Sequence, residues 1–97
     1  MLSYRHSFHA GNHADVLKHI VLMLILENLK LKEKGFFYLD THSGVGRYRL
    51  SSNESEKTGE YKEGIGCLWA KTDLPEDVAR YVKMIKKLNY GGKELRY

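Results

Sequence analysis

The residues best suited to chemistry in this chain gather between positions 36 and 48, in FFYLDTHSGVGRY. A short apolar run, Phe36-Phe37-Tyr38-Leu39, ends at Asp40 and opens into a polar turn carrying His42, Gly44 and Gly46. Glycines let a backbone turn tightly and approach a ligand with no Cβ in the way. In open α/β folds the ligand lies beyond the carboxyl end of such a strand. A dinucleotide fingerprint would need a third glycine, but Arg49 stands in that place. No helix pattern follows Gly46 either. There is no Gly-Lys-Ser/Thr, which excludes a phosphate-cradling P-loop.

The histidines are the next candidates: His6, His9, His13, His19 and His42. His9 and His13 have the spacing of zinc ligands on one helix, but Gly11 and Asn12 between them argue against a helix, and no cysteine joins them. No metal site is expected. Lys18 and His19 fall on the first turns of an apolar helix. They are either a snorkelling lysine and a satisfied histidine, or part of an anion site at a helix start. Tyr4, beside Arg5 and His6, could stack on a base while its neighbours meet phosphate. Asp-x-x-x-Gly-x-Gly after a strand is similar to the donor-binding motif I of S-adenosylmethionine-dependent methyltransferases. On these residues alone, a ligand-free glycine turn stays open as the alternative.

The elements that must hold these groups follow from periodicity. Residues 1–13 have no period and read as an arm. Residues 14–32 read as a helix, with Asn12 or His13 as cap, Asp15 complementing its positive end and Gly35 beyond its finish. Apolar residues surround it almost completely, which predicts a buried helix. Residues 36–40 read as a strand and 50–57 as a loop. Thr58 can cap a second helix over 59–71, which Gly64 and Gly66 weaken. A third spans 75–89, with Asp73 as cap and Pro75 in its first turn. Residues 94–97 read as the start of another strand. A strand as apolar as 36–39 is the type buried on both faces of a parallel sheet, and it needs neighbours to satisfy its backbone. The chain thus reads as the front of an α/β domain whose remaining strands lie beyond Tyr97 or on a partner chain.

The totals set wide bounds. Ninety-seven residues make at most one ordinary domain, with room for a modest core. A net charge of +4 and a pI of about 9.2 lean toward a polyanion partner. Cys67 is the only cysteine, so no internal disulfide forms and a reducing compartment fits. The longest apolar run is too short to span a bilayer, and no signal-peptide pattern opens the chain. These features predict a cytoplasmic protein with no membrane partner.

Three stretches taken together are more specific: MLSYRHSFHAGNHADVLKH, then YLDTHSGVGRYRL, then TGEYKEGIGCLW. In this order and at these distances they closely resemble the RlmJ family, bacterial enzymes that methylate N6 of an adenine in 23S ribosomal RNA. The resemblance runs along essentially the whole chain but covers about the first third of the family's length. It implies an α/β, Rossmann-like methyltransferase fold with an inserted helical subdomain. Residues 1–50 would be the arm, a motif X-like helix and the motif I strand and loop. Residues 51–93 would be the insert, and 94–97 the start of the next strand. The resemblance further implies S-adenosylmethionine as methyl donor, contacted by His19 and His42, with Lys18, Asp40 and Gly44 as further pocket residues. Tyr4 and His6 would lie at the target adenine as the catalytic candidates, and 23S ribosomal RNA would be the partner.

One departure matters. The family's Asp-Pro-Pro-Tyr motif, which holds the target amine, is not among these residues, since Pro75 is the only proline. These 97 residues alone are therefore expected to be inactive and to self-associate through an incomplete sheet. The alternative reading is a non-catalytic, basic RNA-binding module, with charge and aromatic stacking as its means of binding. A small metal-binding domain built on the histidines is the third.

Overall fold

The computed structural model describes residues 4–52, 55, 59–92 and 95–97. After a 3-10 turn at His6–Phe8, helix α1 spans His13–Lys30. Asn12 caps it: its side-chain oxygen accepts from the Asp15 backbone N–H at 2.8 Å. Asp15 in the first turn and Lys30 in the last both complement the helix dipole. The helix stops two residues short of the expected end, where Leu31 N–H closes onto Asn28 O.

Two expectations fail over this part of the chain. α1 is not enclosed: Val16 is its one buried apolar residue, while Leu17, Val21, Ile25 and Leu29 form an exposed i, i+4 stripe. A helix that is apolar all round needs cover on every side, and the described residues supply it on one. Residues 36–40 pair with no strand, and among the described residues there is no β-sheet. Phe37 is 88 % exposed and Leu39 71 % exposed. An apolar run becomes a strand only when neighbours take up its backbone groups and cover its faces, and those neighbours are missing here.

The expected helix over 59–71 is broken into a 3-10 turn, Glu60–Lys62, and a short helix α2, Ile65–Leu68. Its proposed cap, Thr58, lies outside the described residues. The break is a docking point. A Cβ on Gly64 would lie 2.0 Å from the Gly11 carbonyl oxygen and 2.5 Å from the Asn12 carbonyl carbon. Backbone therefore packs on backbone, and the Ile65 N–H donates to Gly11 O at 2.8 Å. Gly11 itself has φ +76°, a region that suits glycine.

Helix α3 spans Glu76–Leu88. Pro75 occupies the N-cap position and no side chain caps it, so Asp73 does not serve as expected. Tyr81, Val82 and Ile85 form its buried face. On the outside, Arg80 grips both carboxylate oxygens of Glu27 at 2.7 Å and Asp77 at 2.8 Å, fastening α3 to α1. Residues 95–97 then return antiparallel to 48–50. Tyr48 and Tyr97 exchange backbone hydrogen bonds at 2.6 and 2.8 Å, and Leu50 N–H donates to Leu95 O at 2.9 Å. The Asn89 side chain holds this return by bonding the Arg96 backbone on both its N–H and its carbonyl. The core is Ala10, Val16, Leu50, Ile65, Tyr81, Val82, Ile85 and Tyr97. No helix among the described residues is long and apolar enough to cross a membrane.

Candidate functional site

The first turn of α1 faces the turn that follows Asp40 across a cleft of about 890 Å³. Tyr4, His6, Lys18, His19, Asp40, His42 and Gly44 all line it. Leu22, Met23 and Leu26 of α1 give it an apolar wall. The seven residues come from three segments far apart in sequence.

Each segment positions its side chains by a different device. On the arm, the Tyr4 ring stacks on His9 with centroids 5.2 Å apart and planes 9° from parallel. The Tyr4 hydroxyl and His6 Nδ1 are 2.6 Å apart. His9 is anchored to Glu60 at 2.8 Å, and Asn12 donates to the same carboxylate oxygen at 3.0 Å. Those two bonds, His9 first, draw the Glu60 carboxyl below its usual range. His9 is thus committed to fixing the arm. Among the described residues, no three His, Cys, Asp or Glu side chains converge in a way that could hold a metal.

On α1, His19 is half-buried, and its Nδ1 lies 3.0 Å from the Tyr97 hydroxyl. Burial lowers its pKa most, opposed by Asp15 and reinforced by Lys18 and His6, so the neutral ring is favoured. Tyr97 in turn shares a short hydrogen bond with the buried Tyr81 hydroxyl. Burial pushes the Tyr81 phenol up to about 12 and raises Tyr97 as well. The return of residues 95–97 therefore supports a helix residue 78 positions earlier.

In the turn, Asp40 Oδ1 accepts from the His42 backbone N–H at 2.9 Å, an Asx-type closure. His42 Nδ1 is 2.8 Å from the Thr41 hydroxyl oxygen. Gly46 has φ +83°, which favours glycine. A Cβ on Gly44 would stand 2.4 Å from the Tyr48 hydroxyl oxygen, so the glycine admits that side chain. Tyr48 meets the His6 ring edge-on at 5.1 Å and so ties turn to arm.

The sequence marks Asp15 only as a complement to the helix dipole. Its carboxylate is buried at the centre of the arm and helix: Oδ2 lies 3.0 Å from both His6 Nε2 and the Gly11 backbone nitrogen. Oδ1 faces Lys18 Nζ at 3.3 Å and His19 Nδ1 at 3.6 Å and makes no hydrogen bond. The available signal was an acidic residue flanked by Ala14 and Val16 just after a histidine-rich arm.

Comparison with known proteins gives these residues a context. Residues 33–97 match the family described as Ribosomal RNA large subunit methyltransferase D, RlmJ. Over all 97 residues the chain is 95 % identical to Ribosomal RNA large subunit methyltransferase J of Haemophilus influenzae strain KW20. It is 60 % identical, again over its whole length, to the protein of the same name from Escherichia coli K12. The chain spans 34 % of the length of each of these relatives. With arm, helix and glycine turn gathered on one cleft and two thirds of the chain matching the family, the chain belongs to the RlmJ family of ribosomal RNA large subunit methyltransferases.

Proposed function

We propose that this chain forms the donor side, and part of the base side, of an S-adenosylmethionine-dependent enzyme that methylates adenine N6 in 23S ribosomal RNA. The observation that carries this reading is the convergence of Tyr4, His6, Lys18, His19, Asp40, His42 and Gly44 on one cleft. The donor set suits S-adenosylmethionine. The neutral His19 ring and the His42 turn offer hydrogen-bonding groups, Lys18 a cation, and the Leu22–Met23–Leu26 wall an apolar surface. When bound, the donor supplies a methyl group already activated on a sulfonium, so the protein's task is alignment. His19, His42, Lys18, Asp40 and Gly44 hold the donor. Tyr4 and His6 receive a base that has left its stack, which its amine requires before it can react.

In the complete enzyme residues 1–50 and 94–97 belong to a Rossmann-like domain, and 51–93 form its helical insert. The exposed apolar run at 36–40 is then the first strand of that sheet, covered by strands from the rest of the enzyme. In the 97-residue chain that face is a surface for self-association. The site of action is the cytoplasm, where ribosomal RNA is modified.

The test uses an enzyme of the relatives' full length and the transfer of labelled methyl to unmodified 23S ribosomal RNA. His42→Ala should weaken donor binding more than RNA binding. Tyr4→Ala and His6→Ala should cut transfer strongly with donor affinity nearly intact. The 97-residue chain by itself should give no transfer, whatever the donor concentration. If Tyr4→Ala and His6→Ala lose donor binding and keep their turnover at saturation, the assignment of the arm is wrong.

A further inference from the structure

The buried carboxylate of Asp15 has a consequence for the two arm residues in front of it. Its side chain is 2 % exposed, at the positive end of α1, where a negative charge is favoured. An ionised carboxylate only accepts hydrogen bonds. The His6 Nε2 at 3.0 Å from Oδ2 must therefore carry a proton, and in the tautomer that carries it there Nδ1 is left as an acceptor. The Tyr4 hydroxyl, 2.6 Å from that Nδ1, then donates its one proton to His6. What remains on the Tyr4 oxygen toward the cleft is lone pairs alone. Such an oxygen accepts a hydrogen bond from an exocyclic amine and repels a carbonyl oxygen in the same place.

We infer that Asp15 is a positioning residue which, through the tautomer of His6, turns the exposed Tyr4 oxygen into a hydrogen-bond acceptor selective for an amino-bearing base over a keto-bearing one. The inference rests on the proposed adenine-side role of Tyr4 and His6. Its distinguishing content is directional. Gly11 N–H, the second donor to Oδ2, fixes the carboxylate, and Asn12 fixes the helix start that carries it. Removing the carboxylate would leave His6 Nε2 without its acceptor. The ring is then free to carry its proton on Nδ1 and donate it to the Tyr4 oxygen, the Tyr4 proton turns into the cleft, and an incoming amine meets a donor.

The experiment is Asp15→Ala in the full-length enzyme, with three readouts. Nitrogen NMR of the histidine ring should show the Nε2–H tautomer of His6 in the wild-type protein and a substantial Nδ1–H population in the variant. Methyl transfer should fall by about tenfold to a hundredfold, a range usual for removing the partner that orients a functional histidine, with the KM for S-adenosylmethionine within about twofold. In a Tyr4→Phe background the same substitution should have almost no further effect on transfer, since no phenol proton is left to redirect. An Nδ1–H tautomer in the wild-type protein overturns the inference even if the variant fails to fold. So does a loss of transfer that is additive with Tyr4→Phe, which would mark Asp15 as structural only. If Tyr4→Phe and His6→Ala themselves leave transfer intact, the adenine-side reading has failed. If they abolish it while Asp15→Ala keeps full activity, this inference alone has failed.

Discussion

The corner where the arm, α1, α2 and Tyr97 meet and the turn after Asp40 face each other across the same cleft, yet they are built in opposite ways. The corner is held by long-range contacts: Gly11 against Gly64 and Ile65, His9 against Glu60, His19 against Tyr97. The turn is closed mainly by neighbours, Asp40 onto His42 and Thr41 beside His42. Its preceding run, 36–40, is exposed throughout. The difference teaches what a motif encodes. The turn specifies its own local shape, whereas the run leading into it finds no cover among the described residues. The corner has little local pattern but carries its supporting contacts within these residues.

The comparison breaks most easily at Gly64. In Gly64→Ala the new Cβ meets carbonyl backbone, not a flexible side-chain end, so the corner must open. A destabilisation of about 3 kcal/mol or more is expected in chemical denaturation. A variant as stable as the wild type would show that the backbone contact is not a constraint.

Next comes Tyr97→Phe, which removes the bonds to both His19 and Tyr81 while keeping the ring. The expected loss is on the order of 1–2 kcal/mol at neutral pH, because the buried Tyr81 hydroxyl loses that partner. Alkaline unfolding gives the second readout. Both phenols have folded-state pKa values above the unfolded value of 10, so the folded form retains protons that the unfolded chain releases. The linked stability is complete below pH 10 and is lost as pH rises from there through about 12, where Tyr81 titrates. The wild-type protein should lose stability in that window more steeply than Tyr97→Phe. Equal slopes would mean that the pair is not buried in solution.

The smallest effect is expected at the exposed run. Phe37→Ser should change the stability of the 97-residue chain by less than about 0.5 kcal/mol, because Phe37 is already 88 % exposed. In an enzyme of the relatives' full length the same change should cost about 3 kcal/mol, as for an aromatic ring in a core. Equal small losses in both proteins would remove the case for a covered strand at 36–40.

The sequence carried α1 and α3 to within two residues at either end, because caps and apolar spacing are local signals. The family was legible from three separated stretches, and the residues they named come to one cleft. The 59–71 break was only half legible. Gly64 and Gly66 lowered the helical propensity, but nothing local says that Gly64 must admit the backbone of Gly11. Asp15 was legible as a helix-start residue and not as a partner of His6, since that pairing depends on where the arm folds back. The strand at 36–40 failed for the reverse reason: its apolar run was clear, and its pairing is not local.

The tie between His19 and Tyr97 also orders events in time. A ribosome adds residues from the N-terminus at roughly 5–20 per second, so α1 is complete well before Tyr97 exists. Until the return segment arrives, His19 lacks its hydroxyl partner, and the core lacks one of its largest side chains. Contacts spanning 78 residues also close late because the intervening chain must first be ordered. His19 is thus set only after Tyr97 has been added, although the helix that carries it emerges early.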